Sequence, residues 1–526
     1  MVGRSIVLGV ADRQQGFFDA AWCVDLLPDA SIYRLLADHG ERIVRDEDFA
    51  SCYSVCQGRP SIAPSVLAKV LLLAYRDGLS DERAMEAVRF DLRWKVALGL
   101  PVDHPGFHST SLVRFRARLL LHEKERLVFE RTVELAGELG LVSGEREQIL
   151  DSTPMLGAAA VQDTATLVRA AVRRLIDAVG AVDRRAAAGL RDGLRFDYSC
   201  PRERPGGDWQ NREQRMVLLG EVASDAGLAL RTVRTDELLR ASVEVAAAAD
   251  VLGEIIGQEF ELGEDEQLPR LRGGRRVRAI ASAHDPEMRH GRQTARSFTG
   301  YKLHAAAAVD APILTAISVS PGNAHDGQHA ASLIDQQPAN RRPSRVLGDT
   351  AYGNITVREA LEQRHVEVLA PLASSSPKQG RTPKERFQID LEAETVTCPA
   401  GNTTVIYGQQ ARANDNGERI AIFKRATCEP CPLRASCAPT GRRIIRISRR
   451  EDLRQQALRV LSDPDQHEHL LRTRLLIERL LALIVHRYHG RKSRYLGSRK
   501  TTLQALWTAV LVNLHPIGTA LRAQPA

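Results

Sequence analysis

The feature that most constrains this chain is a change of period near residue 148. Upstream, apolar residues recur at helical spacing. At Gln148-Ile-Leu150 they become a short continuous run that stops at Asp151-Ser-Thr-Pro154. A run of that kind bounded by turn formers reads as a buried strand, here one delivering a carboxylate at its end. The arrangement returns at Arg345-Val-Leu-Gly348, followed by Asp349. A lone aspartate after a strand is usually a turn former or a helix N-cap, so the pair carries the inference. Two such strands in one sheet bring both carboxylates to one edge.

The stretches around these strands complete an α/β pattern. Residues 1–140 read as short helices. Pro64 stands where a first-turn proline is tolerated, Val66–Tyr75 is apolar at helical spacing up to Gly78, and Ser80 is an N-cap for a segment running towards Gly99. Ser109 or Thr110 caps a further helix carrying Arg114, Arg116 and Arg118. Tight joints between such helices resemble a helix-turn-helix, a pattern that most small helical domains share. Residues 160–260 return to Ala/Leu/Arg helical patterning. Gly300–Val309 and Ile313–Val319, separated by Asp310-Ala-Pro312, form a hairpin candidate. A helix over His325–Ile334, the Asp349 strand, a helix over Ile355–Gln363 and a strand over Val366–Ala370 follow. A loop at 372–385, a cysteine-bearing segment and a basic strand Arg442–Ile447 come next. Amphipathic helices over 451–485 contain Glu478, and a last helix covers about 501–514.

Charge bears on the partner. The net charge of +8 is concentrated: Gly441–Lys500 holds 16 Arg plus Lys against 6 Asp plus Glu, so the rest of the chain sums to about −2. Nine basic residues lie between Arg270 and Lys302. Such density suits a polyanion, nucleic acid above all, although an Arg-rich solvated face has the same composition. His486-Arg-Tyr-His489 and Arg491-Lys-Ser-Arg494-Tyr495 interleave rings with cations, as base stacking and phosphate contact require. No apolar run reaches the roughly 18 residues of a membrane helix, and the first dozen residues lack a signal-peptide cleavage site. Eight cysteines in 526 residues do not make a disulfide framework, which points to a reducing, cytoplasmic setting.

Four of those cysteines, Cys398, Cys428, Cys431 and Cys437, are spaced Cys-x29-Cys-x2-Cys-x5-Cys. Four thiolates suit a closed, structural Zn²⁺ site; buried thiols or a relic of a site are the alternative. Cys23, Cys52, Cys56 and Cys200 form no comparable set.

The segments Ile149-Leu-Asp151-Ser-Thr, Phe298-Thr-Gly-Tyr-Lys-Leu-His304, Val319-Ser-Pro-Gly-Asn-Ala-His-Asp326, Val346-Leu-Gly-Asp349-Thr-Ala-Tyr-Gly353 and Arg474-Leu-Leu-Ile-Glu478-Arg occur in that order. Together with Gly58-Arg-Pro60 through Ser111-Leu-Val-Arg-Phe-Arg116, they resemble the DDE transposases of bacterial insertion sequences over most of the chain. The resemblance implies an RNase H-like mixed-sheet catalytic core (141–372 and 440–520) with a helical insertion at about 156–295. It also implies a helical DNA-binding domain at 1–140 and a cysteine-rich insert at 373–439.

Carried over by position, the catalytic triad is Asp151, Asp349 and Glu478, holding two Mg²⁺ or Mn²⁺ ions. Converging carboxylates repel one another unless a cation lies between them, which agrees with that role. Glu468 is a rival glutamate. The pattern departs from part of the superfamily in having Leu471 where a tyrosine often stands and Val485 where a lysine does. Lys302, Arg474, Arg479, Arg487, Arg491, Lys492 and Arg494 are expected on DNA phosphates, with Arg114 and Arg116 in the helical domain reading terminal repeats.

The implied activity is metal-dependent cleavage at element ends and strand transfer into target double-stranded DNA. The implied enzyme is a homodimer on DNA, working in the bacterial cytoplasm and on the nucleoid. A catalytically inactive DNA-binding regulator and a nuclease of the same fold without joining are the rivals.

Overall fold

The computed structural model describes residues 7–11, 19–54, 60–142, 146–200, 206–261, 268–274, 278–293, 296–373, 382–407 and 418–524. The first domain is helical: α1 (Ile32–Ile43), α2 (Pro64–Arg76), α3 (Asp81–Phe90), α4 (Leu92–Leu98), α5 (Thr110–Leu121) and α6 (Leu127–Glu138), with 3-10 turns at Ala20–Leu26 and Glu47–Cys52. Local chemistry sets these ends. Pro64 occupies the first turn of α2, the Ser80 hydroxyl caps α3 by accepting from Arg83 N, and Gly99 closes α4 in the left-handed conformation. Asp91 caps α4 and so splits the single segment expected from 80 to 99. On α5 the residue that accepts from the first-turn Thr110 N–H is His108, through Nδ1, whereas Ser109 makes no side-chain cap.

The core sheet contains β1 (Glu147–Leu156), β4 (Arg289–Gln293), β5 (Arg296–Ala308), β6 (Leu314–Pro321), β7 (Arg345–Leu347) and β8 (Glu367–Leu369). Its spatial order is β5-β1-β7-β8, with the far edge of β5 shared by β4 along residues 296–300 and β6 along 301–307. β1 runs antiparallel to β5 and parallel to β7, and β7 runs parallel to β8. This mixed order is the RNase H-like core. Helices α12 (Ala330–Asp335) and α13 (Ile355–Glu362) cover one face through Leu333, Ile334, Val357 and Leu361.

The other face packs on the helical domain and on α18 (Ser498–Ala523), which is buried along most of its length. Buried Asn513 of α18 both donates to the carbonyl and accepts from the N–H of Leu314, satisfying the start of β6. α18 exceeds the expected 501–514 and continues through Pro516.

Two inserts have their own cores. α7 (Thr164–Val182), α8 (Arg184–Gly193), α9 (Arg212–Thr235), α10 (Glu237–Ala241) and α11 (Val243–Glu259) form a helical bundle, followed by the short pair β2 (Phe260–Glu261) and β3 (Arg270–Leu271). The insertion is therefore shorter than the expected 156–295, because β4 belongs to the core sheet. The second insert is a five-stranded sheet, β9 (Gln388–Asp390), β10 (Thr395–Thr397), β11 (Thr403–Tyr407), β12 (Arg419–Phe423) and β13 (Arg443–Ile447), with the short helices α14 (Arg425–Cys428) and α15 (Arg434–Cys437). Because β13 pairs with β12, this insert extends past the expected boundary at 439.

α16 (Glu451–Leu461) and α17 (Pro464–Ala482) return the chain to the core, and α17 ends in one π-helical turn, Leu483–Arg487. Among the described residues no helix is long and apolar enough to cross a membrane.

Candidate active site

Asp151 does not end its strand: β1 runs five residues further, to Leu156. What ends is its neighbour. β1 and β7 pair as Glu147–Arg345, Gln148–Val346 and Ile149–Leu347, and β7 stops there. Asp151 and Asp349 each lie two residues past the last pair of this ladder, and both line one cleft. Asp151 Oδ1 accepts from Ser152 N, and Asp349 Oδ1 accepts from Ala351 N at 2.8 Å in the turn that follows β7.

α17 crosses the same edge, anchored by buried Leu470, Ile477 and Leu480, and presents half-exposed Glu478. A cleft of about 560 Å³ is lined by Asp151, Asp349 and Glu478 together with Asp326, Arg474 and Arg491. The rival Glu468 lies two to three turns earlier on α17, exposed and paired with Arg472, and does not line the cleft.

The electrostatics follow from that convergence. Burial, then the charges of Asp349 and Glu478, push the Asp151 carboxyl up to about 7 against the opposing Ser152 N–H and Arg474. Arg474 lies 3.7 Å from Glu478, one helical turn away. The donor set is hard oxygen, as Mg²⁺ or Mn²⁺ requires. Among the described residues no three His, Cys, Asp or Glu side chains stand together at metal distance. Ligation at the cleft therefore requires the three carboxylates to draw closer than they stand here.

The basic residues divide into two groups. Arg114, Arg479, Arg487, Arg491 and Lys492 are exposed, and Arg491 faces the cleft. The 491–493 segment is held at the end of β1, where Leu156 N donates to Arg491 O and Ser493 N to Leu156 O. Two residues expected on DNA, Arg116 as a reader of terminal repeats and Arg494 as a phosphate contact, are turned inward instead. Arg116, 11% exposed, forms a two-pronged pair with Asp81 and stacks on the Tyr495 ring, and Arg494 donates to Leu79 O and lies over Tyr75. These two arginines join the helical domain to the segment after α17. Lys302 lines the cleft but is committed to Asp326 Oδ1 at 2.7 Å and Ala324 O at 2.9 Å.

Sequence reasoning gave no role to Asp326 or Arg292, both of which line the cleft. The signal for Asp326 was its place in the Asn323-Ala-His-Asp326 stretch, a carboxylate that needs a cation opposite it, and Lys302 is that cation. His304 is a packed core residue: fully buried, it is bonded through Nε2 to Ser320 Oγ and stacked on His329 at 4.1 Å.

An RNase H-like sheet whose edge carries two aspartates, faced by a helix-borne glutamate and a basic rim, defines a class of nucleic-acid-processing cores. Family comparison gives the kind. The model described as "Transposase DDE domain" matches residues 272–514, and "Transposase domain (DUF772)" matches residues 23–118. The chain belongs to the insertion-sequence DDE transposases. The first match contains Asp349 and Glu478 and starts after both β1 and the helical bundle that follows it. No curated protein and no solved structure gives a match.

Proposed function

We propose that this transposase cuts DNA at the ends of its own element in a divalent-metal-dependent reaction and joins the freed 3′-hydroxyl to target DNA. The observation that supports the reading is that Asp151, Asp349 and Glu478, carried by β1, the turn after β7 and α17, line one cleft. Asp151, Asp349 and Glu478 would hold two Mg²⁺ or Mn²⁺ ions, which when bound supply activation of the attacking hydroxyl and stabilisation of the leaving oxygen.

The chain's own groups do the rest. Asp151 would release to solvent, on ligation, the proton that burial and its acidic neighbours favour. Arg474 holds Glu478 at the cleft mouth. Arg491, fixed at the end of β1, meets phosphate beside the carboxylates, while Arg479, Arg487 and Lys492 extend the basic rim. Arg114 on the exposed face of α5 contacts terminal-repeat DNA. Lys302 keeps Asp326 neutralised, so the negative charge of the cleft is confined to the triad. Pairing of two element ends calls for a homodimer on DNA, working where the DNA is, in the bacterial cytoplasm.

The test is cleavage of a duplex carrying the element's terminal inverted repeats, with and without Mg²⁺, by wild-type protein and by Asp151→Ala, Asp349→Ala and Glu478→Ala. The expected result is metal-dependent nicking at the repeat ends, and joining to a second duplex, lost in all three variants. Binding without cleavage in Mg²⁺ and Mn²⁺ alike would identify a DNA-binding regulator. Cleavage without joining would identify a nuclease.

A further inference from the structure

The cysteines are outside the chemistry proposed above, yet the fold gathers four of them. Cys398 lies in the tight β10–β11 connection, where Cys398 N donates to Asn402 O and Gly401, at φ +82°, donates back to Cys398 O. Cys428 ends α14, Cys431 follows in the turn closed by its own N–H on Cys428 O, and Cys437 ends α15. These positions, up to 39 residues apart, line a single cavity of about 20 Å³ together with Phe387, Phe423 and Arg443. A space of that size admits one water molecule or one ion.

None of the four is in a disulfide. Arg443 donates to Cys437 O and Thr382 O and lies over the Phe387 ring, while its buried Nε makes no hydrogen bond among the described residues. A residue that lines the cavity thus keeps one buried guanidinium N–H without an acceptor among the described residues. The small sheet also has few apolar residues of its own. Phe387, Val396, Ile406, Phe423, Ile445 and Ile447 are its large buried side chains, a core of the size that small folds supplement with a staple.

We propose that Cys398, Cys428, Cys431 and Cys437 form a structural zinc site that closes the insert. No three of the thiols around the cavity stand together at metal distance, so ligation needs side-chain rotation about the Cα–Cβ bonds. Each thiol releases its proton to solvent on binding. The resulting complex carries two net negative charges, and Arg443 and Arg434 at the wall offset them. Four thiolates leave no open position, so this ion takes no part in hydrolysis. Its effect is on stiffness. The insert is tied to the helix leading into α17 by the Lys384–Glu451 and Arg454–Glu385 pairs, with Glu451 buried, so closing it steadies the root of the Glu478 helix.

The experiment is elemental analysis of the full-length protein, purified without chelator, alongside Cys398→Ser, Cys431→Ser and Asp349→Ala. About one zinc per chain is expected in wild type and in Asp349→Ala, falling at least tenfold in each cysteine variant. Cobalt exchanged into the wild-type protein should give the intense d–d bands of tetrahedral thiolate coordination, a readout that does not depend on a cysteine variant folding. Wild-type protein that binds no zinc after incubation with excess Zn²⁺, or zinc retained in both cysteine variants, overturns the proposal. So does octahedral cobalt. None of these readouts involves DNA cleavage, so the zinc site and the catalytic reading stand or fall separately.

Discussion

Glu147 and His469 meet where the strand of Asp151 passes the helix of Glu478, and the other oxygen of Glu147 accepts from Arg345 at 3.1 Å on the strand leading to Asp349. One carboxylate thus ties together the three elements that carry the triad. Asp151 and Asp349 each follow four residues after their member of the group, and Glu478 nine residues after His469. The groups are partly exposed, so screening keeps each pair modest, about 1 kcal/mol. Glu147→Ala should cost little stability, a shift in Tm of a few degrees. Its effect on cleavage should be larger, about tenfold, because a misplacement of the carboxylates of under 1 Å matters more to rate than to folding. Thermal melts and single-turnover cleavage on the same variant check this. An unchanged rate would mean the three elements hold their places without Glu147.

Arg114 and Arg116 sit two residues apart on α5 and should behave oppositely. Arg116→Ala removes a partly buried pair with Asp81 and the stacking on Tyr495, and should destabilise the fold by about 1–2 kcal/mol. Arg114→Ala should leave the melting curve unchanged. It should weaken binding to terminal-repeat DNA and lower the slope of log K against log salt by about 1. Calorimetry and salt-titrated binding separate the two roles. Equal melting temperatures for the two variants would contradict the inward assignment of Arg116.

The sequence was informative where a local rule acts alone. Pro64, Ser80 and Gly99 mark helix ends by their own conformational and capping chemistry, and the 300–319 hairpin follows from two apolar runs around Asp310-Ala-Pro312. It misled where a partner decides. Pro154 reads as a strand breaker, yet it falls between Ile149, where the β7 pairing ends, and Leu156, which pairs with the 491–493 segment, and such a gap tolerates a residue with no N–H. That gap in pairing is also where Asp151 lines the cleft. β4, Arg-His-Gly-Arg-Gln, lacks any apolar alternation because only Gly291 is buried, so its pairing with β5 leaves no trace in composition. Arg116 and Arg494 are indistinguishable in sequence from solvent-facing arginines, since the aspartate, carbonyl and rings that hold them come from elsewhere in the fold.

Gly300 precedes the Tyr-Lys-Leu-His segment at φ +149°, where β5 crosses the end of β1. A Cβ there would stand 2.3 Å from both Gly157 N and Met155 O, backbone atoms that cannot move aside singly. Gly300→Ala combines that overlap with a backbone conformation alanine resists, and should cost more than about 3 kcal/mol. Urea unfolding is the check. A variant as stable as wild type would show that the β1–β5 ladder shifts freely at this point, and Asp151 would then be less firmly placed than its register implies.

His304 sets a pH limit on the fold. Burial first, then His329 and Lys302, holds its imidazole well below the ordinary value, so it is neutral in the native protein. In the unfolded chain it titrates near 6.5. The unfolded state therefore takes up the extra proton. This contribution to stability is complete above about pH 6.5 and declines as pH falls below it. His329, stacked on His304, is lowered by burial against the opposing Asp326 and adds in the same direction. Asp151 acts the other way, since its native carboxyl holds a proton up to about 7 while the unfolded one does not. The clean measurement is thus a difference. Urea unfolding of wild type and His304→Asn at pH 7.5 and 5.5 should show the variant less stable than wild type at pH 7.5, with that gap narrowing at pH 5.5. Asp151 contributes equally to both proteins and cancels. A gap that stays constant or widens on acidification would mean His304 is charged in the native core, stabilised by Asp326 across the stacked pair.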